Sequence, residues 1–294
     1  MIGKPLIRVE MRGGLGNQLF QAAAGYALAR RLGAELQFEL FHYRHSSKRD
    51  FGLSAFDHGG EIIQTRRTLS RRLLKKAGNA FGGLGFVYTP GWSGPCLREQ
   101  SYSYDPRIEK VEGSCYLRGY FQSWRYFESC TPDIKRIFDP ARAASTQAIA
   151  FAQEMPEDAL CVHVRAGDYL KDPKSNAVHG TLPACYYDRA IDFMRALGRA
   201  ESIYCFSDNM EAAKGLLQGH QGVTFVQGFN ALDDMYLMSR AKSHIIANST
   251  FSYWAAFVAG TNDPCVIAPH AWFTEDELKR KSTRDLYPPT WNKM

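Results

Sequence analysis

From Ala159 onward the chain alternates short apolar runs with helical segments. That alternation admits little besides a parallel sheet covered by helices on both faces. Ala159–Val164, Ile203–Ser207, Val223–Val226, Ser243–Ala247 and Cys265–Ala268 read as strands. Helices are predicted over Pro183–Leu197, Met210–Leu217, Leu232–Ala241, Phe251–Ala259 and Glu275–Lys281. Pro183 near the start and Gly198 past the end of the first of these are the expected punctuation. Ligands of such sheets settle beyond the C-terminal strand ends, at the point where strand order reverses. Residues just after each strand are therefore the functional candidates.

The N-terminal half opens in the same way. Ile7, Val9 and Met11 alternate as in a strand, glycines 13, 14 and 16 follow, and residues 17–32 form a largely apolar helical stretch ended by Gly33. Leu36, Phe38 and Leu40 alternate again, which completes a βαβ unit. From Phe41 to Cys115 the pattern is irregular, with a Gly/Pro-rich patch from Gly78 to Pro95. Cys115–Phe121 reads as an aromatic-rich strand, and Pro140–Met155 as a helix ending before Pro156. The expected division is thus 1–155 and 156–294.

Composition narrows the class. Hydrophobic residues at 45% and charged residues at 22% exclude a disordered or fibrous chain. No apolar run reaches the length of a membrane span, and the first residues lack the apolar segment of a secretory signal, so a soluble cytoplasmic protein is expected. The 7 cysteines form no CxxC pair and are expected to be reduced structural thiols. The net charge of +6 is concentrated at Arg66, Arg67, Arg71, Arg72, Lys75 and Lys76, with leucines at helical spacing between them. This run reads either as a solvated helix face or as a peripheral contact with an anionic membrane surface or substrate. No reading motif accompanies it, so nucleic acid is not an expected partner.

Four strand ends carry candidates. After the first strand, Gly14, Asn17 and Gln18 join a glycine turn to a helix start, where free N–H groups favour anions. The spacing is neither that of a dinucleotide fingerprint nor that of a P-loop. In His163-Val164-Arg165-Ala166-Gly167-Asp168, His163 and Arg165 share one strand face, and a guanidinium there needs an anion. That anion is either a ligand phosphate or Asp168 closing the turn. Asp208 in Phe206-Ser207-Asp208-Asn209 either caps the next helix or accepts N–H bonds from a base edge. Asn248, Ser249, Thr250 and Phe251 open an apolar helix and supply hydroxyls and backbone N–H groups, as a helix cap, a pyrophosphate cradle or both. The chain has no Asp-x-Asp, so no divalent metal or other cofactor is expected.

The blocks GGLGNQLFQAAAGYALA, LRGYFQSWRYF (117–127), HVRAGDY (163–169), FSDN (206–209) and NSTFSYWAA (248–256) resemble, in order, the bacterial α-1,2-fucosyltransferases of glycosyltransferase family 11. The resemblance extends from about residue 10 to about residue 270. It implies an α/β protein of GT-B type, with two facing Rossmann-like domains, each on a parallel sheet. The N-terminal domain would serve the acceptor and the C-terminal domain GDP-fucose. It further implies metal-independent transfer of L-fucose, with inversion, to the 2-hydroxyl of galactose in a galactose-terminated glycan. Carried over, Arg165 contacts the donor phosphates, Asp208 faces guanine, Ser249, Thr250 and Phe251 hold the diphosphate, and Asn17 and Gln18 face the donor. This sequence has Asn209 where the family's FSDD has a second acid, and Trp124 where GYFQSEKYF has one.

The mechanism implied is a single displacement in which charge grows on the β-phosphate and Arg165 receives it. Asp168 is the first candidate for the base that takes the hydroxyl proton, and His163 the second. Transfer of another sugar from a GDP-sugar, and non-catalytic nucleotide-sugar or glycan binding, are the competing readings.

Overall fold

Two six-stranded sheets organise the chain, one in each of two units. The computed structural model describes residues 3–45, 50–65, 84–89, 91–167, 177–260 and 264–294. Two stretches named above, Asp168 and the basic run Arg66–Lys76, lie outside these residues. The first unit comprises Met1–Phe138 and Lys281–Leu286, the second Asp139–Arg280 and Tyr287–Met294.

In the first unit the strand order is β3-β2-β1-β6-β5-β4. Here β1 is Leu6–Glu10, β2 Glu35–Glu39, β3 Glu61–Ile63, β4 Gly85–Thr89, β5 Trp92–Arg98 and β6 Cys115–Arg118. All neighbours are parallel except β4 and β5, which form an antiparallel pair. Helix α1 (Leu15–Leu32) starts at Gly14 and stops at Gly33, whose φ of 59° turns its N–H back onto the carbonyls of Ala29 and Arg30. The helix lies so near β1 that a Cβ on Gly25 would stand 2.5 Å from Val9 Cγ2. Short helices α2 (Phe41–His45) and α3 (Thr131–Ile137) complete the unit.

In the second unit the order is β12-β11-β10-β7-β8-β9, parallel throughout. The strands are β7 (Leu160–Val164), β8 (Ile203–Ser207), β9 (Val223–Phe225), β10 (Ser243–Ile245), β11 (Cys265–Ala268) and β12 (Asn292–Lys293). Its helices include α4 (Thr146–Glu154), α5 (Ala184–Ala196), α6 (Met210–Leu216), α7 (Ala231–Arg240), α8 (Thr250–Phe257) and α9 (Glu275–Arg280). Leu160, Val162 and Val164 of β7 are buried with Ile191 and Met194 of α5 in one core. All seven cysteines are free thiols, five of them buried. Among the described residues no helix is long and apolar enough to cross a membrane.

The division follows Phe138, where the sequence placed it before Pro156. Residues 139–155 go with the second unit because Pro140–Arg142 and α4 pack on α7, and the Ser145 N–H donates to Asp233 Oδ1 at 2.7 Å. The helix expected over 140–155 breaks there, since Ser145 caps α4 through the Ala148 N–H. Residues 281–286 return to the first unit: Ser123 Oγ donates to the Asp285 carbonyl at 2.7 Å, and the Ser282 N–H to Ser101 Oγ at 2.8 Å.

Strand order reverses between β1 and β6 in the first sheet, and between β7 and β10 in the second. These are the switch points where a crevice opens beyond the strand ends. The Gly25 contact carries a prediction. Gly25→Ala forces Val9 out of its place and costs about 1–3 kcal/mol in urea unfolding, as overpacking does, whereas Gly33→Asn leaves stability nearly unchanged.

Candidate functional site

At the second switch point β7 ends at Val164, and the chain turns through Arg165, Ala166 and Gly167. The turn is held from the neighbouring strand. Asp208, just past β8, accepts the N–H of Ala166 at 3.0 Å and that of Gly167 at 2.9 Å on Oδ1. Its Oδ2 lies 3.1 Å from Arg165 Nε. Gly167 has to be glycine, because a Cβ there would stand 2.9 Å from the Asp208 carboxyl carbon. Burial works to raise the Asp208 pKa, but the Arg165 charge and the two N–H groups outweigh it and hold the carboxyl below the ordinary aspartate range.

This corrects the reading of Asp208. The cap of α6 is Asn209, whose side chain accepts the Ala212 N–H at 3.2 Å. Asp208 is therefore not the helix cap: its carboxylate holds the Arg165 turn. Asn209, which replaces an acid of the family pattern, is thereby the helix cap.

His163 is only 4% exposed, and its Nδ1 has no hydrogen-bond partner among the described residues. Burial first, then the Arg165 charge, push its pKa down to about 3. A ring so reluctant to take a proton packs as a neutral group, 6.1 Å from the Phe251 ring, and is unsuited to act as a base near neutral pH. His179 went unnoticed in the sequence and belongs to the same cluster. Burial and Arg165 lower its pKa to about 4, and its ring lies 5.2 Å from Phe273. No motif announces it, because the chain brings it to Arg165 from beyond the HVRAGDY block.

On the other side of the switch, β10 leads to Asn248 and Ser249. Ser249 caps α8 by accepting the Phe251 N–H on its hydroxyl at 3.3 Å. The capping and anion-cradle readings coexist here, since one hydroxyl serves the cap while the remaining N–H groups of the helix start stay at the crevice. Asn248 is 2% exposed, and its Nδ2 points at the carbonyls of His179 (2.8 Å), Gly180 (3.1 Å) and Trp272 (3.4 Å). Its NH2 is a latch that brings the 177–180 segment to the strand ends.

The first switch point is built alike. Gly13 has φ of 82°, and a Cβ there would stand 2.5 Å from Asn17 Nδ2, so only glycine fits. Gly14 has open space where a Cβ would be. Asn17 accepts a hydrogen bond on Oδ1 from Gln122 Nε2 at 2.7 Å, which turns its amide NH2 the other way. Gln18, expected to meet a ligand, is fully buried and fully used. Its Nε2 donates to the carbonyls of Gly13 and Asp50, and its Oε1 accepts the N–H groups of Gly52 and Leu53. Gln21 bridges the two strand ends, taking the Arg12 N–H and donating to the Gly119 carbonyl.

Two Rossmann-like units, with an arginine clasp and a capped helix start at one switch point, define a chain of the GT-B class. The profile of glycosyl transferase family 11 matches residues 107–294. The chain belongs to that family and is a glycosyltransferase. It is 28% identical over 299 residues to an α-1,2-colitosyltransferase of Escherichia coli, covering 97% of this chain and 98% of that one. A galactoside 2-α-L-fucosyltransferase of Caenorhabditis elegans is 24% identical over 307 residues, covering 99% and 79%. Among solved structures, the fucosyltransferase NodZ from Bradyrhizobium shares the fold with a TM-score of 0.52 at 17% identity, covering 86% of this chain and 93% of that one.

Because the Asp208 pKa is lowered in the folded state, the clasp stabilises at pH above the unfolded-state value, and that stability is lost as pH falls through the folded one. Asp208→Asn should therefore cost about 2 kcal/mol at neutral pH, as expected for hydrogen bonds to a charged group. Urea unfolding at stepped pH should show the gap to wild type closing once the pH drops below the ordinary aspartate range.

Proposed function

We propose that the chain transfers L-fucose from GDP-fucose to the 2-hydroxyl of a galactose residue, with inversion and without a divalent ion. The observation that carries this reading is the Arg165–Asp208 clasp beside the Ser249-capped start of α8, two anion-seeking features at one switch point. A guanidinium whose Nε is pinned by a carboxylate is oriented before the ligand arrives, so it is not reorganised as charge grows on the leaving β-phosphate. Thr250 brings its backbone N–H to the same diphosphate, and Phe251, whose own N–H closes the Ser249 cap, fixes that helix start. Asp208 acts by holding Arg165, and Asn17 offers its NH2 to the donor.

His163 and His179 keep the surroundings of Arg165 free of a second positive charge. Asp168 is the acid proposed to take the acceptor proton. A second reading, transfer of a different sugar from its GDP-sugar, draws support from the likeness to a colitosyltransferase over nearly the whole chain.

The test is GDP release from GDP-fucose over a panel of β-galactosides such as lactose. Release is expected to require a galactoside and to be unchanged by EDTA. Loss of release with EDTA would overturn the metal-free part, and release from another GDP-sugar alone would favour the second reading. Arg165→Ala should lower turnover by about a hundred-fold or more, the usual cost of removing a preorganised charge-stabilising donor. Arg165→Lys should not restore it, because an ammonium cannot both meet Asp208 and present a fork.

A further inference from the structure

Against the turn that follows β6 stands a carboxyl group that the transfer chemistry leaves unused. Glu99 continues from β5, and its N–H donates to the Arg118 carbonyl. Its Oε2 accepts the Tyr120 N–H at 2.7 Å, while its Oε1 is closed off from solvent with no hydrogen-bond partner among the described residues. Gly119 lies directly beneath it: a Cβ there would stand 2.4 Å from Glu99 Cβ. The next residue but one, Phe121, is fully buried with φ of 54°, and among the described residues no other non-glycine has positive φ. A bulky residue in that region is strained and persists only where its surroundings over-determine it.

Gln122 follows at once. It is 5% exposed and donates to Asn17 Oδ1 at 2.7 Å. Taking that oxygen turns the Asn17 NH2, the half that suits phosphate or sugar oxygens, toward Gly13 of the glycine turn. A continuous chain of contacts thus runs from Glu99 through the Tyr120 N–H and the strained Phe121 to Gln122 and Asn17.

We propose that Glu99 is a positioning residue: by holding the 119–122 turn it sets Gln122, and through Gln122 the orientation in which Asn17 meets the nucleotide sugar. The proposal rests on the donor role given to Asn17 above. Its coupling depends on protonation, because an ionised carboxylate accepts N–H groups about twice as strongly as a neutral one. Burial raises the Glu99 pKa to about 7, against the Phe121 and Tyr120 N–H groups and Lys281, which lower it, while Asp105 adds to the rise. Tyr126 also faces it. The clasp therefore tightens as pH climbs through neutrality. Overall stability moves the other way: a raised folded-state value means stability present at low pH and lost as pH rises through about 7.

The experiment follows the Asn17 side-chain NH2 by NMR in protein labelled with 15N-asparagine, assigned by its loss in Asn17→Asp. The signal is expected to titrate with a midpoint of about 7, and to become invariant in Glu99→Gln and in Gln122→Ala, with thermal unfolding confirming that both variants fold. A wild-type signal that does not titrate, or one that titrates equally in Glu99→Gln, overturns the proposal. In parallel, kcat/KM for GDP-fucose with lactose should rise across the same window in wild type. Glu99→Gln should flatten the rise and lower the plateau about three- to ten-fold, the worth of one hydrogen bond. An unchanged kinetic profile in Glu99→Gln also overturns it. A titrating Asn17 in a protein that releases GDP from no GDP-sugar would support the Glu99–Asn17 coupling and overturn the donor reading alone.

Discussion

A carboxylate reaching from one parallel strand to the backbone N–H groups beyond its neighbour is the interaction on which both switch points depend. In the second unit Asp208 takes the N–H groups of Ala166 and Gly167, and in the first Glu99 takes that of Tyr120. Each sits over a glycine, Gly167 and Gly119, where an added Cβ would collide with it. The physical logic is the same in both. A chain leaving a parallel strand loses its ladder partners, and its N–H groups need an acceptor. An acid from the adjacent strand supplies one while fixing the direction in which the next side chain points. Arg165 and Gln122 are the side chains so directed.

The two carboxyls nonetheless sit in different electrostatic settings. Asp208 has a guanidinium on its second oxygen and is held ionised. Glu99 has no hydrogen-bond partner among the described residues on its second oxygen, and burial holds its proton to near neutral pH. The first is a permanent strut and the second a strut whose strength follows pH. Around Arg165 the same low-dielectric packing discharges His163 and His179, so the arginine is the site's one positive group among these three side chains.

Amides do most of the remaining positioning. Gln18 closes its hydrogen-bonding capacity on four backbone groups, Gln21 joins the ends of β1 and β6, and Asn248 latches three carbonyls. Read in sequence, such residues beside glycine turns look like ligand contacts, because side-chain amides suit both jobs. What separates the two is the number of backbone partners within reach, and those partners come from 32 to 35 residues away for Asp50, Gly52 and Leu53, and from 68 to 69 away for His179 and Gly180.

Periodicity alone determined five strands of the second sheet and missed β12: β8 and β11 fall where the apolar runs are, and the helices between them drift by a residue or two at their caps. It could not determine the edge of the first sheet, where Gly94 and Pro95 make β5 read as a loop. Pro95 is tolerated because pairing to β6 begins only at Cys96, so its missing N–H leaves that ladder intact. The motif blocks placed Arg165, Ser249 and Asn17 at strand ends, since strand ends follow from local pattern. Only the tertiary structure decided what each side chain does there. It assigned Asp208 to Arg165, moved the cap to Asn209, buried Gln18 and Asn248 in backbone contacts, and brought His179 and Glu99 into view. A hydrogen bond or ion pair between residues far apart in the chain leaves no trace in local spacing, and it is those bonds that orient the site.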